Sequence, residues 1–505
     1  MGRKRRQPAE ALLTSTLDKL PVELIEKILD EADLSRRTLF DLATSCGRRL
    51  HPIFLAHYIR LNGGGLNPRD KCVAELDGRC RDDLIAALNF ASFITSIRHF
   101  ECHFPRGNLE HGILLKHFAR VERLLGRLEE MEVVIFDFDP MQARLRSEEK
   151  ATPSQEAKEW CERLGTLLDT VLMKGCRSLE IRGLRHYTGV YHFIDPPPAR
   201  FKLMWSSSNK SKHDRTSMGV GKPVTVLLSK AARHQCKLTH FTIASESMVS
   251  PCLLQWTSSI LMSCSVTHVT IEGFGMTGAQ WIQLGDNFTR SSPTVQHLRL
   301  GLQCIDPEPT RKALKSMKKL EVLTLVFLHQ QDFSYVDLVL TEVGMSKIRQ
   351  LLQNLQVCKP PVVRSNAAIA GAQIGSSTAL RIELEMEIPQ PSVVEWMIRA
   401  AQRLREYSQL KSWTSIITGL TLIAQYPLLR DTGTTETEID TYMKIWFTKI
   451  FPNVRRIAWK ACAEDHQGRV KQSLEEVLEW KSFGGYLDKM DYVEVNGRVV
   501  KDAAS

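Results

Sequence analysis

Four short runs share one spacing of apolar residues, and that spacing limits what the chain can fold into. They are "CKLTHFTIAS" (Cys236 to Ser245), "CSVTHVTIEG" (Cys264 to Gly273), "PTVQHLRLGL" (Pro293 to Leu302) and "KKLEVLTLVF" (Lys318 to Phe327). Each reads apolar, two residues, apolar, one residue, apolar. The first apolar positions, Leu238, Val266, Val295 and Leu320, recur at steps of about 25 to 29 residues. Alternation of this kind means a strand with one buried face. The gaps carry helical spacing, as in "LLQWTSSILMSC" and "GAQWIQLGDNF". A strand-plus-helix unit of that length cannot bury its apolar face alone, so such units stack. The pattern predicts that Leu238, Phe241, Ile243, Val266, Val269, Ile271, Val295, Leu298, Leu300, Leu320, Leu323 and Leu325 share one core. Thr242, Thr270, Arg299 and Thr324, each between the last two apolar positions, would line the opposite, concave face and meet a substrate.

Similar runs stand at "CRSLEIRGL" and "FPNVRRIAW", with weaker ones at "ITSIRHFECHF", "MEVVIFDF", "ALRIELEME" and "ITGLTLIA". An open, non-repeating α/β sheet is the competing architecture. Residues 195–223 and 359–379 are rich in Pro, Gly, Ser and Asn and read as long loops. Near the end, "SLEEVLEWKSFGGYL" suggests a closing helix and "YVEVNGRVV" a hairpin turning on Asn496-Gly497.

At 505 residues the chain exceeds the ~250–300 that one core usually spans, so it holds more than one folding unit. Its 43% hydrophobic and 25% charged residues are those of an ordinary globular protein. No apolar run approaches the ~20 residues of a membrane helix, and Arg6 stands where a myristoylation signal wants Ser or Thr. The expectation is a soluble, cytoplasmic or nuclear protein with no membrane partner. The twelve cysteines form no C-x-x-C, and Cys176, Cys236 and Cys264 directly precede strand runs, as reduced, packed thiols would. Of the net charge of +10, four come from Arg3, Lys4, Arg5 and Arg6. A solvated basic tail is preferred there over an import signal, and no basic stripe with aromatics points to nucleic acid.

No nucleophile elbow, phosphate loop or dinucleotide fingerprint is present, so no catalytic residue and no cofactor is expected. In "RHFECHF", His99, Glu101 and His103 would share one face of a strand, with Phe100, Cys102 and Phe104 on the other. Two imidazoles and a carboxylate are zinc-ligand types. A half-buried strand with a polar side is the preferred reading, and no metal is expected.

The N-terminal region is different. "LPVELIEKILDEAD" places Val22, Leu24, Ile25, Ile28, Leu29 and Ala32 on one broad helical arc and the acidic residues with Lys27 on the other. Pro21 suits the first helical turn, and Leu34-Ser35 reads as a turn and cap. Leu39, Leu42, Ala43 and Cys46 follow at helical spacing, and Leu50, Ile53, Phe54 and Tyr58 begin a third helix. Three short helices bury too little to stand alone. An N-terminal cap on the downstream domain is the plain explanation.

The segment resembles the F-box motif, the adaptor module of Skp–cullin–F-box ubiquitin ligases. The matching positions are Leu20, Pro21, Leu24, Ile28, Leu29, Leu39, Leu42, Cys46 and Leu50, within residues 17–60. The resemblance implies that these positions dock on a Skp-type adaptor and, through it, reach a cullin. The downstream region resembles the irregular leucine-rich-repeat domains that follow F-boxes in fungal proteins, without the Asn that usually lines the turn after the strand. The expected architecture is α/β: a three-helix F-box followed by an irregular leucine-rich-repeat-like solenoid. Its expected divisions are a disordered basic tail at 1–15, the F-box at 16–60, a helical linker at 61–93, the repeat-like domain at 94–460 and a cap at 461–505. The implied function is that of a non-enzymatic substrate-recognition subunit, with a scaffold that binds the Skp adaptor but recruits no ligase as the alternative.

Overall fold

In the computed structural model, the described residues are 19–63, 69–76, 83–104, 111–138, 155–183, 225–274, 294–327, 342–352, 380–388, 414–424, 444–461 and 488–502. A few shorter pieces lie between these ranges, and a few single positions inside them are left out. The basic tail, both expected loops and most of the expected closing helix fall outside the described residues. The chain divides into two compact units, Met1–Val266 and Thr267–Ser505.

The first unit opens with three short helices, α1 (Val22–Glu31), α2 (Arg36–Ser45) and α3 (His51–Asn62). Pro21 precedes α1 as its N-cap, one position earlier than the sequence suggests, and its carbonyl accepts from Leu24 N at 3.1 Å. Ser35 caps α2 by accepting from Thr38 N at 3.1 Å, as expected from "LS". Then strands and helices alternate: β1 (Lys71–Glu75), α4 (Asp83–Phe90), β2 (His99–His103), α5 (His111–Arg127), β3 (Val133–Phe138), α6 (Gln155–Met173), β4 (Ser178–Gly183), α7 (Lys230–Gln235), β5 (His240–Ser245) and α8 (Pro251–Ser263). The strands pair parallel in sequence order, each with the next. β1 lies in the stretch 61–93 that reads as a helical linker. "KCVAE" alternates too briefly to stand out in the sequence, yet it pairs in full register with β2, so the ladder begins before residue 94.

One face of this ladder is apolar. Cys72, Phe100, Val134, Leu179 and Phe241 stand in register, and Ala74, Cys102, Phe136, Ile181 and Ile243 form the next row, all buried. Helices cover that face. Phe118 of α5 meets Phe104 at 5.4 Å and Phe138 at 6.0 Å, and Trp160 of α6 at 6.3 Å. Offset and edge-on ring pairs of this kind add ~0.5–1.5 kcal/mol each beyond area burial. Arg127, at the end of α5, donates to Ile94 O (2.7 Å) and Leu88 O (2.6 Å), satisfying two carbonyls of a helix end and the turn after it. Asp169 of α6 accepts from Ser229 N (3.0 Å) and Trp256 Nε1 (2.8 Å), which ties α6 to α7 and α8.

The second unit continues the alternation with β6 (His268–Ile271), β7 (His297–Gly301), α9 (Pro307–Ser316), β8 (Val322–Phe327), α10 (Glu342–Leu352), β9 (Arg381–Ile388), β10 (Gly419–Ala424), β11 (Arg456–Ala461), β12 (Tyr492–Val495) and β13 (Arg498–Asp502). β6 to β12 are parallel and in sequence order, and β13 turns back antiparallel on β12. Asn496 (φ 50°) and Gly497 (φ 80°) make the left-handed turn expected from the Asn-Gly pair. All twelve residues predicted as core are buried, in the two units where they fall.

After β7 the turn is held by a thiol and an indole. Cys304 Sγ donates to Phe274 O at 2.8 Å, and Trp281 Nε1 donates to Cys304 O. In each unit the strands run parallel in sequence order up to the closing hairpin, and the described helices lie between successive strands, the connectivity of a repeat-like α/β solenoid.

Candidate interaction surfaces

The helix α1 divides its apolar arc in two. Ile25 and Leu29 are 1% and 5% exposed, whereas Val22, Leu24 and Ile28 are 41%, 48% and 45% exposed. An i, i+4 step joins Ile25 to Leu29 on the covered edge, and another joins Leu24 to Ile28 on the open one. Val22, at the start of the helix, is left in solvent. Polar contacts hold α1 in place from its charged side. Asp30 is bonded by Arg60 of α3 and lies 3.6 Å from His57 Nδ1, and Arg49 donates to Leu20 O at 3.3 Å. Burial, then Arg60, keeps the His57 imidazole below its ordinary value.

Of the nine residues matched to the F-box motif, Pro21, Leu24 and Ile28 are exposed, and Leu20, Leu42 and Cys46 are half-buried. Leu29, Leu39 and Leu50 are buried within the structure, where they pack the helices together. The spacing of a helix cannot separate supporting from presenting residues when the apolar arc is this wide.

The second surface is the polar face of the strands. Thr242 lies there in the first unit, and Thr270, Arg299 and Thr324 stand side by side in register in the second. All four are half-buried on the side opposite the core, as the alternation requires. Around them the face is a network of charges that the sequence leaves unmarked. Arg299 forks onto Glu385, Nη2 to Oε1 at 2.6 Å and Nε to Oε2 at 3.4 Å, while Nη1 donates to Glu272. Further along, Arg456 Nε lies 3.9 Å from Glu383 and its guanidinium covers the Tyr492 ring at 4.2 Å. Tyr492 donates to Glu494 at 2.7 Å, and Lys460 reaches Glu494 at 3.9 Å. Two glycines make room. A Cβ on Gly419 would meet Glu383 Cγ at 2.8 Å, and one on Gly301 would meet Glu272 Cα at 3.1 Å. Glu383, Arg456 and Tyr492 stand in register with Thr324 across the strands, and the alternation in "RIELEME" puts Glu383 and Glu385 on this face without marking their partners.

In the first unit, His99, Glu101 and His103 share the polar face and Phe100, Cys102 and Phe104 are buried opposite, as read from "RHFECHF". Glu101 is engaged by His103 Nε2 (3.1 Å), Lys71 Nζ (3.5 Å) and His99 Nε2 (3.8 Å), and His103 Nδ1 lies 3.5 Å from Asp137. Nearby, Arg182 Nε donates to Glu180 at 2.6 Å. Among the described residues, no group of three or more His, Cys, Asp or Glu side chains could hold a metal ion, and no helix is long and apolar enough to cross a membrane.

No family model and no curated protein matches the chain. Among solved structures it is similar to the leucine-rich repeat-containing protein LegL7 from Legionella pneumophila. The identity is 10% and the TM-score 0.34, over 77% of this chain and 90% of that one. At that TM-score the likeness bears no weight, and the repeat-like fold rests on the parallel register of the strands.

Proposed function

We propose that the protein is a non-enzymatic interaction scaffold that works as the substrate-recognition subunit of a Skp–cullin–F-box ubiquitin ligase. The exposed edge of α1, with the half-exposed Leu20, Leu42 and Cys46, receives a Skp-type adaptor. The polar strand face of each unit, with Thr242 in the first and Thr270, Arg299 and Thr324 in the second, offers a surface to a target protein. The subunit then acts by proximity, raising the effective concentration of the target's lysines at the ubiquitin-loaded enzyme.

One observation carries this reading. A short helix that sets Ile25 and Leu29 into its own domain leaves Leu24 and Ile28, one turn apart, as an open apolar edge for a partner to cover. Burying one such side chain is worth ~1.5–3 kcal/mol, while association costs ~4–15 kcal/mol in lost freedom. The edge of α1 therefore does not hold an adaptor by itself, and α2 must contribute.

Affinity capture of the full chain from cells tests the reading. A Skp-type adaptor and a cullin should come down with the wild type and be lost together on combined Leu20→Ala and Pro21→Ala. Capture of the adaptor without any cullin would favour the scaffold that recruits no ligase. Capture of neither would remove the proposal.

A further inference from the structure

Two cysteines stand at one recurring position, four residues before a strand: Cys236 before β5 and Cys264, after α8, before β6. Cys236 caps the C-terminus of α7, and Cys264 follows the last turn of α8, its N–H on Ile260 O at 2.9 Å. Equivalent positions in neighbouring parallel repeats are set one strand spacing, ~4.8 Å, apart. That falls inside the ~4.4–6.8 Å that a disulfide spans between Cα atoms. The Cys236 and Cys264 side chains are hydrogen-bonded to each other, and both thiols are free. Cys236 is half-exposed, whereas Cys264 is buried.

We propose that Cys236 and Cys264 are a peroxide-reactive pair that closes to a reversible disulfide, with Cys236 the attacking sulfur and Cys264 the resolving one. The surroundings separate the two roles. The bond from Cys264 and the backbone N–H of Leu238 lower the Cys236 thiol below its ordinary value, against its burial. The bond to Cys236, then burial, pushes the Cys264 thiol up, with Arg233 acting against both. A partly exposed sulfur that is bonded by two donors is the setting in which a thiolate persists and reacts.

The chemistry balances with a hydroperoxide as oxidant. The Cys236 thiolate, its proton given to solvent, attacks the terminal peroxide oxygen. An S–O bond forms, the O–O bond breaks, and the departing alkoxide or hydroxide takes a proton from water. Cys264, deprotonated in turn, attacks the Cys236 sulfur, so that S–S forms and S–O breaks with loss of water. Two thiols and one hydroperoxide give one disulfide, one alcohol or water, and one further water. The crosslink ties the end of α7 to the end of α8 around β5.

A second pair in the same unit serves as the internal control. Cys161 of α6 and Cys252 of α8 are also bonded to each other, but both are buried and the Cys161 thiol is pushed up by that bond and by burial. Their shielding should keep them reduced when Cys236 reacts.

Graded hydrogen peroxide on the reduced full chain, followed by N-ethylmaleimide and peptide mapping without reduction, tests the inference. The linked Cys236–Cys264 peptide should appear first, with Cys161 and Cys252 still alkylated, and dithiothreitol should remove it. Cys236→Ser should slow the first thiol loss by about tenfold or more. Cys264→Ser should leave a Cys236 sulfenic acid that dimedone traps. The inference is overturned if Cys161–Cys252 or Cys176–Cys236 links first, or if Cys236 passes to sulfinic acid with no crosslink. The first readout uses the unaltered chain, so it does not depend on whether either variant folds.

Discussion

His99 and His103 lie four residues apart on the same face of β2, yet their surroundings drive them in opposite directions. The bond to Asp137, helped by Glu101, raises the His103 imidazole above its ordinary 6.5 despite its burial. Burial, then Lys71, lowers His99 below 6.5, against Glu101 and Glu180. Proton-coupled NMR should show His103 titrating above His99, and Asp137→Asn should lower His103 without raising His99. The linkage signs follow. The His103 contribution to stability is full below 6.5 and is lost as pH rises through its raised folded value. The His99 contribution is present above 6.5 and is lost as pH falls through its lowered one. Removing His103 by His103→Gln should therefore cost more at pH 5.5 than at pH 8.5, and an equal cost would contradict the assignment. At the same scale, Ile271→Ala or Leu300→Ala opens a cavity in a fully buried row and should cost ~2–5 kcal/mol in denaturant unfolding.

At the scale of the element, alternation made the strands legible and left their partners hidden. The facing of "HFECHF" and of the four spaced runs follows from period two, which needs no neighbour to be known. The contact of Arg299 with Glu385 joins residues 86 apart, and no spacing in the sequence announces it. β1 was missed because five residues with two small buried side chains, Cys72 and Ala74, barely rise above a loop in hydrophobicity. The division of α1 was half legible: the arc marks its apolar residues, but only packing decides that Ile25 and Leu29 are covered while Val22, Leu24 and Ile28 stay open. That division gives a sharp contrast. Ile25→Ala should cost ~2–5 kcal/mol, and Ile28→Ala, on the open edge, within about 0.5 kcal/mol. Equal losses on thermal or denaturant unfolding would mean that both edges are packed inside the domain. In the closing hairpin, Gly497 at φ 80° tolerates no side chain without strain, so Gly497→Val should cost ~1–2 kcal/mol and loosen β13 first in hydrogen exchange.

Taken as a whole molecule, the chain presents two different kinds of surface on two kinds of scaffold. The strand ladders carry paired charges on their polar face, which in the proposed role select a partner more than they bind it. The N-terminal helices carry a small apolar edge, whose burial supplies affinity in that role. The most direct measurement is calorimetric titration of a purified Skp-type adaptor into the full chain and into a variant with Leu24→Asp and Ile28→Asp. Both positions are open to water, so the variant should keep the wild-type circular dichroism and melting temperature. The account predicts saturable one-to-one binding by the wild type and at least a hundredfold weaker binding, about 2.7 kcal/mol, by the variant. Equal affinity in the two, or no binding by the folded wild type, would contradict it.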